Sequence, residues 1–186
     1  MKTTIIPNHG TPWGPAQHET QIAEGVVSVS TAGHGGYYVE PATNATIPAY
    51  LRSNDGWYEE DCDWAKAHVA LGIEDRATKC AHRTFKNWHP DEWEKFMGKT
   101  LAEGESSTRD RRVFLDNAKD SFVVICAWGS WKEGVPSGTV TVAARLGGRD
   151  GSGDSKYFSV GKAEYDTRSE FGFVIDLAKH KEVAAL

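Results

Sequence analysis

Phe122-Val-Val-Ile-Cys-Ala-Trp128 is a nearly continuous apolar run of strand length, and it predicts a buried β-strand. Three further segments with apolar or alternating patterns follow it in the chain: Thr139–Leu146, Tyr157–Val160 and Phe171–Leu177. Gly-rich turns separate the first three segments. This spacing predicts that the four segments form one antiparallel meander in the C-terminal half.

A second β pattern lies near the N-terminus. Residues 25–31 alternate apolar and polar side chains, and Tyr37–Val39 is rich in aromatic and β-branched residues. The three glycines of residues 32–36 separate the two segments and predict a hairpin with a wide loop. Residues 1–24 are rich in Pro, Gly and His and are expected to form an ordered loop pinned by Trp13. Residues 41–48 are expected to be a connection.

Helical patterns occupy the centre of the chain. Over Trp57–Leu71 the apolar residues recur at helical spacing, with acidic residues in the expected first turn. A second helix is predicted from Pro90 and a third over about Thr108–Ala118. The fold class is therefore α+β: an N-terminal β-hairpin, central helices and a C-terminal antiparallel sheet. The polar segment Glu103–Ser107 suggests two regions, 1–102 and 103–186, packed as one globular unit.

Composition limits the classes of function. A net charge of −5 does not favour direct nucleic-acid binding, which usually uses a basic face. Three cysteines with wide spacing imply no disulfide framework and predict a reducing, cytoplasmic setting with free thiols. No N-terminal signal peptide or membrane-length apolar run is recognised, so no membrane partner is expected. Seven tryptophans are many for 186 residues, and some are expected to contact a partner.

The glycine-rich turn is the first candidate site. His34 can exchange protons near neutral pH, and Gly35 and Gly36 allow close approach to the backbone. The alternative is a tight hairpin turn that carries an exposed histidine.

The second candidate is the stretch from Trp57 to Cys62. It contains Tyr58, Glu59, Glu60, Asp61 and the Cys62 thiol, with Asp63 directly after it. Paired carboxylates can hold a divalent metal or act as acid and base. Nearly consecutive carboxylates point in different directions, however, so all of them cannot converge. The alternative is a charged helix start with Cys62 packed inward.

Longer-range combinations are also conceivable. Cys62 and His34 are the residue types of a nucleophile and its base. Cys62, Cys80, His82 and His89 are possible zinc ligands, but their spacing matches no standard finger. Residues 150–154 resemble the start of a calcium loop and lack its downstream glutamate. No established catalytic motif is present. The sequence therefore assigns no catalytic residue, metal or cofactor, and an enzyme is not the leading expectation.

Three motifs together resemble a known family. They are His9–Ala16 (HGTPWGPA), the His34–Gly36 turn (HGG) and Gly56–Ala65 (GWYEEDCDWA). They are similar to an uncharacterised domain of proteins carried by bacteriophages, plasmids and other mobile elements of proteobacteria, over about the first 70 residues. His9 and Trp13 join the candidate functional residues on this basis. The resemblance implies a setting in which accessory proteins often counter host defence.

The leading functional hypothesis is therefore a phage or mobile-element counter-defence protein. It would inhibit a host immune system, such as CRISPR-Cas or restriction, by stoichiometric binding of a host defence protein or complex. The alternative is a small hydrolase or nucleotide-modifying enzyme that uses His34, Cys62 and the carboxylates of residues 59–61. Convergence of these groups in a concave pocket would favour the enzyme.

Overall fold

The computed structural model describes residues 10–186 of the chain. The described residues form two compact units, with the boundary between Thr108 and Arg109. The first unit contains four strands and most of the helices, and the second contains the other four strands. The α+β class predicted from the sequence is confirmed, with one antiparallel four-stranded sheet in each unit.

The N-terminal sheet has the strand order β1-β2-β3-β4, and all neighbours are antiparallel. Its strands are β1 (His18–Ala23), β2 (Val26–Ser30), β3 (Gly35–Val39) and β4 (Trp57–Glu59). The predicted hairpin is β2–β3. Its loop is narrower than predicted, because Gly35 and Gly36 belong to β3. The predicted loop over residues 1–24 is wrong in part, since β1 pairs with β2; His9 lies outside the described residues.

Four helices lie in the first unit, and a fifth crosses the boundary between the units. They are α1 (Pro41–Asn44), α2 (Trp64–Ala70), α3 (Thr78–Trp88), α4 (Pro90–Met97) and α5 (Ser107–Ala118). The helices predicted from Pro90 and from Thr108 are confirmed as α4 and α5. Of these five helices, α1 and α3 were not predicted. His89 alone separates α3 from α4, because Pro90 disfavours helical backbone at the residue before it.

The helix predicted over Trp57–Leu71 is wrong at its N-terminal end. Trp57–Glu59 is the edge strand β4, and the helix begins only at Trp64. Gly56 has a φ of 79°, and a Cβ at this position would lie 2.5 Å from the Val39 carbonyl oxygen. The Val39 amide donates a 2.8 Å hydrogen bond to the Gly56 carbonyl. This close approach, which only glycine permits, turns the chain into the sheet beside β3.

The core of the first unit lies between one face of this sheet and the helices. Val26, Tyr37, Val39 and Tyr58 from the sheet are buried against α2, α3 and α4. Helix α3 is largely polar and contributes Ala81 and Phe85, four residues apart and both fully buried. Residues at this spacing share one helix face, so a narrow apolar stripe is enough to dock α3.

The second unit contains the strand order β5-β6-β7-β8, again antiparallel. Its elements are β5 (Phe122–Trp128), β6 (Thr139–Leu146), β7 (Lys156–Gly161), the short α6 (Lys162–Tyr165) and β8 (Lys181–Val183). The prediction of a strand over Phe171–Leu177 is wrong. This segment makes only isolated bridges, from Val174 to Val123 along the free edge of β5 and from Gly172 to Ser169. The fourth strand is β8, which is short and exposed.

No helix within residues 10–186 combines the length and the apolar character needed to cross a membrane.

Candidate functional site

The turn between the inner strands β2 and β3 carries His34 at one end of the N-terminal sheet. The Thr31 amide and hydroxyl donate hydrogen bonds of 2.7 and 2.8 Å to the His34 carbonyl oxygen. The Thr31 hydroxyl oxygen also accepts a 3.2 Å hydrogen bond from the His34 amide. These bonds fix the backbone of His34, whose side chain is exposed.

Gly35 and Gly36 follow His34 and let other groups approach the strand. A Cβ at Gly35 would lie 2.6 Å from Glu60 Oε2 and 2.6 Å from the Val29 carbonyl oxygen. At Gly36, where φ is 155°, a Cβ would lie 2.1 Å from the Tyr58 carbonyl oxygen and 2.6 Å from the Trp13 ring. The two glycines therefore have a structural role. Because they have no side chains, Glu60 and Trp13 can pack against the backbone of β3.

Trp13 and Trp57 belong to an aromatic cluster on the sheet face opposite the helices. Their rings are perpendicular at a centroid distance of 5.5 Å, and Trp57 also contacts Tyr38 at 4.8 Å. Val27 and Val29 complete the cluster. Both tryptophans are partly buried, so their main role in the fold is packing. Tyr58, one residue after Trp57, points to the opposite face and is buried in the core.

Glu59 closes the turn that follows β4. Its Oε2 accepts hydrogen bonds from the amides of Asp61 and Cys62 at 2.8 and 3.3 Å. The Cys62 thiol lies 3.9 Å from the same oxygen. The other oxygen, Oε1, is buried and has no hydrogen-bond partner among residues 10–186. A buried carboxylate oxygen without a partner is costly, which makes Glu59 the strongest indication of a ligand site in this turn.

His34, Glu59 and Glu60 converge. Their ligand atoms lie within 4.8 Å of one another, and we call this set the His34 cluster. An imidazole between two carboxylates can hold a divalent cation or transfer a proton in acid–base chemistry. Asp61 is exposed and lies outside the cluster. The neighbouring carboxylates therefore do not all converge, as the sequence predicts.

Cys62 belongs to a second set, the Cys62 triad, formed by Cys62, Asp63 and His89. All three side chains are half-buried, and their ligand atoms lie within 4.8 Å of one another. Burial raises the pKa of the Cys62 thiol, and the neighbouring Asp63 and Glu59 carboxylates raise it further. A raised pKa keeps the sulfur protonated, which disfavours a role as a free thiolate nucleophile.

Residues 7–119 match the model of a domain of unknown function, DUF7007. The chain belongs to the DUF7007 family. The matched range contains the His34 cluster, the Cys62 triad and the whole N-terminal sheet, whereas strands β5–β8 lie beyond it. No curated protein and no solved structure is significantly similar to the chain.

Within the DUF7007 region the structure brings together two of the four possible zinc ligands, Cys62 and His89, and not the other two. Cys80 is exposed and lies 3.7 Å from an Arg83 nitrogen, while His82 Nδ1 is 3.5 Å from Trp93 Nε1. Neither residue joins a group of metal-ligating side chains among the described residues. His89 is among the possible zinc ligands of the sequence and Asp63 follows the second candidate stretch, but the sequence does not predict their contact of 3.3 Å. Asp63 lies beside Cys62 in the GWYEEDCDWA motif, but only the tertiary fold brings His89 to it.

Proposed function

We propose that the protein is a counter-defence factor of a mobile genetic element that acts by binding a host defence protein or complex. The observation that carries this proposal is Trp131, whose side chain is 77% exposed in the loop between β5 and β6. Tryptophan is the residue type most enriched among the energetic anchors of protein interfaces. A large exposed indole on an ordered loop therefore supports a binding function.

The Trp131 loop is held by its own backbone. The Lys132 amide donates a 3.0 Å hydrogen bond to the Gly129 carbonyl, and the Val135 amide donates a 3.2 Å hydrogen bond to the Lys132 carbonyl. Val135 is buried and anchors the loop, and the indole of Trp131 leans towards Gly129. A loop ordered before binding loses less conformational entropy on association, which favours affinity.

Charge and family setting support the choice of partner. The net charge of −5 favours encounter with a basic surface, such as that of a nucleic-acid-processing defence complex. The resemblance of the N-terminal motifs to domains carried by phages and plasmids motivates host defence as the target. The Trp131 loop lies outside the range matched by DUF7007, so the partner would be selected by a region that the family domain does not include.

Dose dependence tests the proposal. Phage plaquing or plasmid transfer is measured in defended and undefended hosts while expression of the protein is varied. We expect rescue only in defended hosts, in proportion to the ratio of protein to its target. His34→Ala and Cys62→Ala should retain this activity provided that they fold. Inhibition of a purified target at substoichiometric dose, lost in folded His34→Ala, would contradict stoichiometric binding.

The second candidate is a small hydrolase or nucleotide-modifying enzyme. The convergence of His34, Glu59 and Glu60 favours it, because this set offers an imidazole and two carboxylates within reach of one substrate. Cys62 would support Glu59 through the thiol contact of 3.9 Å and would not act as the nucleophile. Screening for turnover of phosphate-ester and nucleotide substrates, with His34→Ala as the matched loss-of-function variant, distinguishes the enzyme from the binding protein.

A further inference from the structure

The Cys62 triad brings together three different metal-ligating groups from two parts of the chain. Cys62 and Asp63 lie in the turn between β4 and α2, and His89 is the residue between α3 and α4. The backbone of His89 is non-helical, with φ −132° and ψ 57°, and Pro90 fixes the following φ. The imidazole is therefore presented from a rigid junction and not from a flexible loop.

The spacing within the triad fits a tetrahedral ion. His89 Nε2 lies 3.3 Å from Asp63 Oδ1. Two ligand atoms bound at about 2.0–2.1 Å to one tetrahedral Zn²⁺ are separated by about 3.3–3.4 Å. The thiol sulfur lies within 4.8 Å of the other two ligand atoms. A tetrahedral S–N separation is about 3.6 Å, so a shift of the sulfur of at most about 1.2 Å from the 4.8 Å limit completes the geometry.

The electrostatics of the triad leave His89 incompletely satisfied. His89 Nε2 is buried and, despite its distance of 3.3 Å from Asp63, makes no hydrogen bond with a described residue. The two atoms are in contact, but they lack the alignment of a hydrogen bond. Asp63 Oδ1 also forms an ion pair with Lys66 Nζ at 2.6 Å, so the carboxylate lies between the Lys66 ammonium and the imidazole. A carboxylate oxygen and a buried imidazole nitrogen without a hydrogen bond are suitable donor types for a cation.

We propose that Cys62, Asp63 and His89 bind one Zn²⁺ ion. One thiolate sulfur, one imidazole nitrogen and one carboxylate oxygen form the mixed donor set that zinc prefers. Binding replaces the proton of the Cys62 thiol by the metal, and that proton passes to solvent. Three protein ligands leave a fourth position for water or a substrate group.

Cobalt binding to the untagged, chelator-treated chain tests the site. Co²⁺ bound by a thiolate absorbs light through sulfur-to-metal charge transfer, and Zn²⁺ displaces it. We expect one equivalent of Co²⁺ to produce this absorption in the wild type and in Cys80→Ser, the control on α3. Cys62→Ser should lose the absorption, and His89→Gln should bind Zn²⁺ at least about 10-fold more weakly. Unchanged absorption in Cys62→Ser would overturn the proposal.

Thiol protection in the wild-type chain provides a test that does not depend on the folding of variants. Alkylation of each cysteine is followed by mass spectrometry with and without one equivalent of Zn²⁺. We expect Zn²⁺ to slow the modification of Cys62 and to leave Cys80 and Cys126 unaffected. Equal protection of all three cysteines, or none of Cys62, would overturn the assignment. Both readouts are independent of any counter-defence or catalytic activity.

Discussion

The Tyr58 hydroxyl donates a 2.6 Å hydrogen bond to Asn44 Oδ1 and accepts a 3.0 Å hydrogen bond from the Ser53 amide. Tyr58 is 1% exposed and Asn44 is also buried. The first bond connects the edge strand β4 to helix α1, and the second connects it to the intervening segment. The strand that carries the candidate site is therefore fixed from its buried face by one phenol group.

Replacing Tyr58 by phenylalanine should destabilise the first unit. The ring still fills the core, but Asn44 Oδ1 and the Ser53 amide lose their partner while buried or half-buried. Such a loss costs about 1–3 kcal/mol in the free energy of unfolding. Urea denaturation measures this change, and Tyr50→Phe, at an exposed ring, serves as the control. An equal effect of both substitutions would show that the Tyr58 hydroxyl has no special structural role.

Gly36→Ala should disrupt the approach of Trp13 and β4 to β3. The added methyl group would lie 2.1 Å from the Tyr58 carbonyl oxygen, which is backbone and cannot rotate away. We expect a loss of about 2 kcal/mol or more in the free energy of unfolding. Gly33→Ala is the matched control in the same hairpin, since its Cβ meets no atom within 4 Å. Comparable thermal melting of the two variants would contradict the packing described for Gly36.

A second buried polar contact connects β3 to α2. Tyr37 Oη lies 3.3 Å from His68 Nδ1, and His68 Nε2 lies 3.6 Å from Asp75 Oδ1. His68 is fully buried, and this burial lowers its pKa in spite of the Asp75 carboxylate. Burial, with a contribution from Asp75, raises the pKa of Tyr37 to about 12. Both side chains are thus neutral in the folded protein at neutral pH.

The lowered pKa of His68 predicts that the free energy of unfolding is smaller in mild acid than at neutral pH. The unfolded chain binds a proton near the ordinary pKa of about 6.5, and the folded chain binds it only at lower pH. The contribution of neutral His68 to the free energy of unfolding is therefore fully present above about pH 6.5. It decreases as the pH falls from there towards the pKa of His68 in the folded protein. The slope from this one proton is at most about 1.4 kcal/mol per pH unit. His68→Gln should reduce the slope seen in urea denaturation, whereas His18→Gln, on exposed β1, should not.

Much of the fold follows from local sequence patterns. The strands β5, β6 and β7 and the helix from Pro90 were predictable because an apolar run or a helix-start residue marks each of them. The edge strand Trp57–Glu59 was not, because its tryptophan is also in phase with the helix that begins at Trp64. Strand β8 and helix α3 have few apolar residues, and only tertiary packing reveals them.

The candidate site was predictable only in its residue types. His34 and Glu59 were identifiable because they lie in glycine-rich and acidic motifs. Their convergence depends on the pairing of Gly36 with Glu59 across β3 and β4, which a helix over the same residues would have prevented. The contact between Cys62 and His89 spans two helices and a junction, so sequence spacing does not indicate it.

Trp131→Ala should abolish partner binding and leave the fold intact. The side chain is 77% exposed, so its removal should change the free energy of unfolding by less than about 0.5 kcal/mol. As an interface anchor it would contribute about 2 kcal/mol or more, a loss of roughly 30-fold in affinity. The immobilised protein captures its partner from a defended host, and quantitative mass spectrometry compares wild type, Trp131→Ala and Leu177→Ala. Leu177 is the control because it is 66% exposed in the same unit.

If charge attraction assists binding, capture should also fall as salt shortens the screening length from about 10 Å at 0.1 M to about 3 Å at 1 M. Undiminished capture and counter-defence activity by folded Trp131→Ala would exclude this loop as the binding surface.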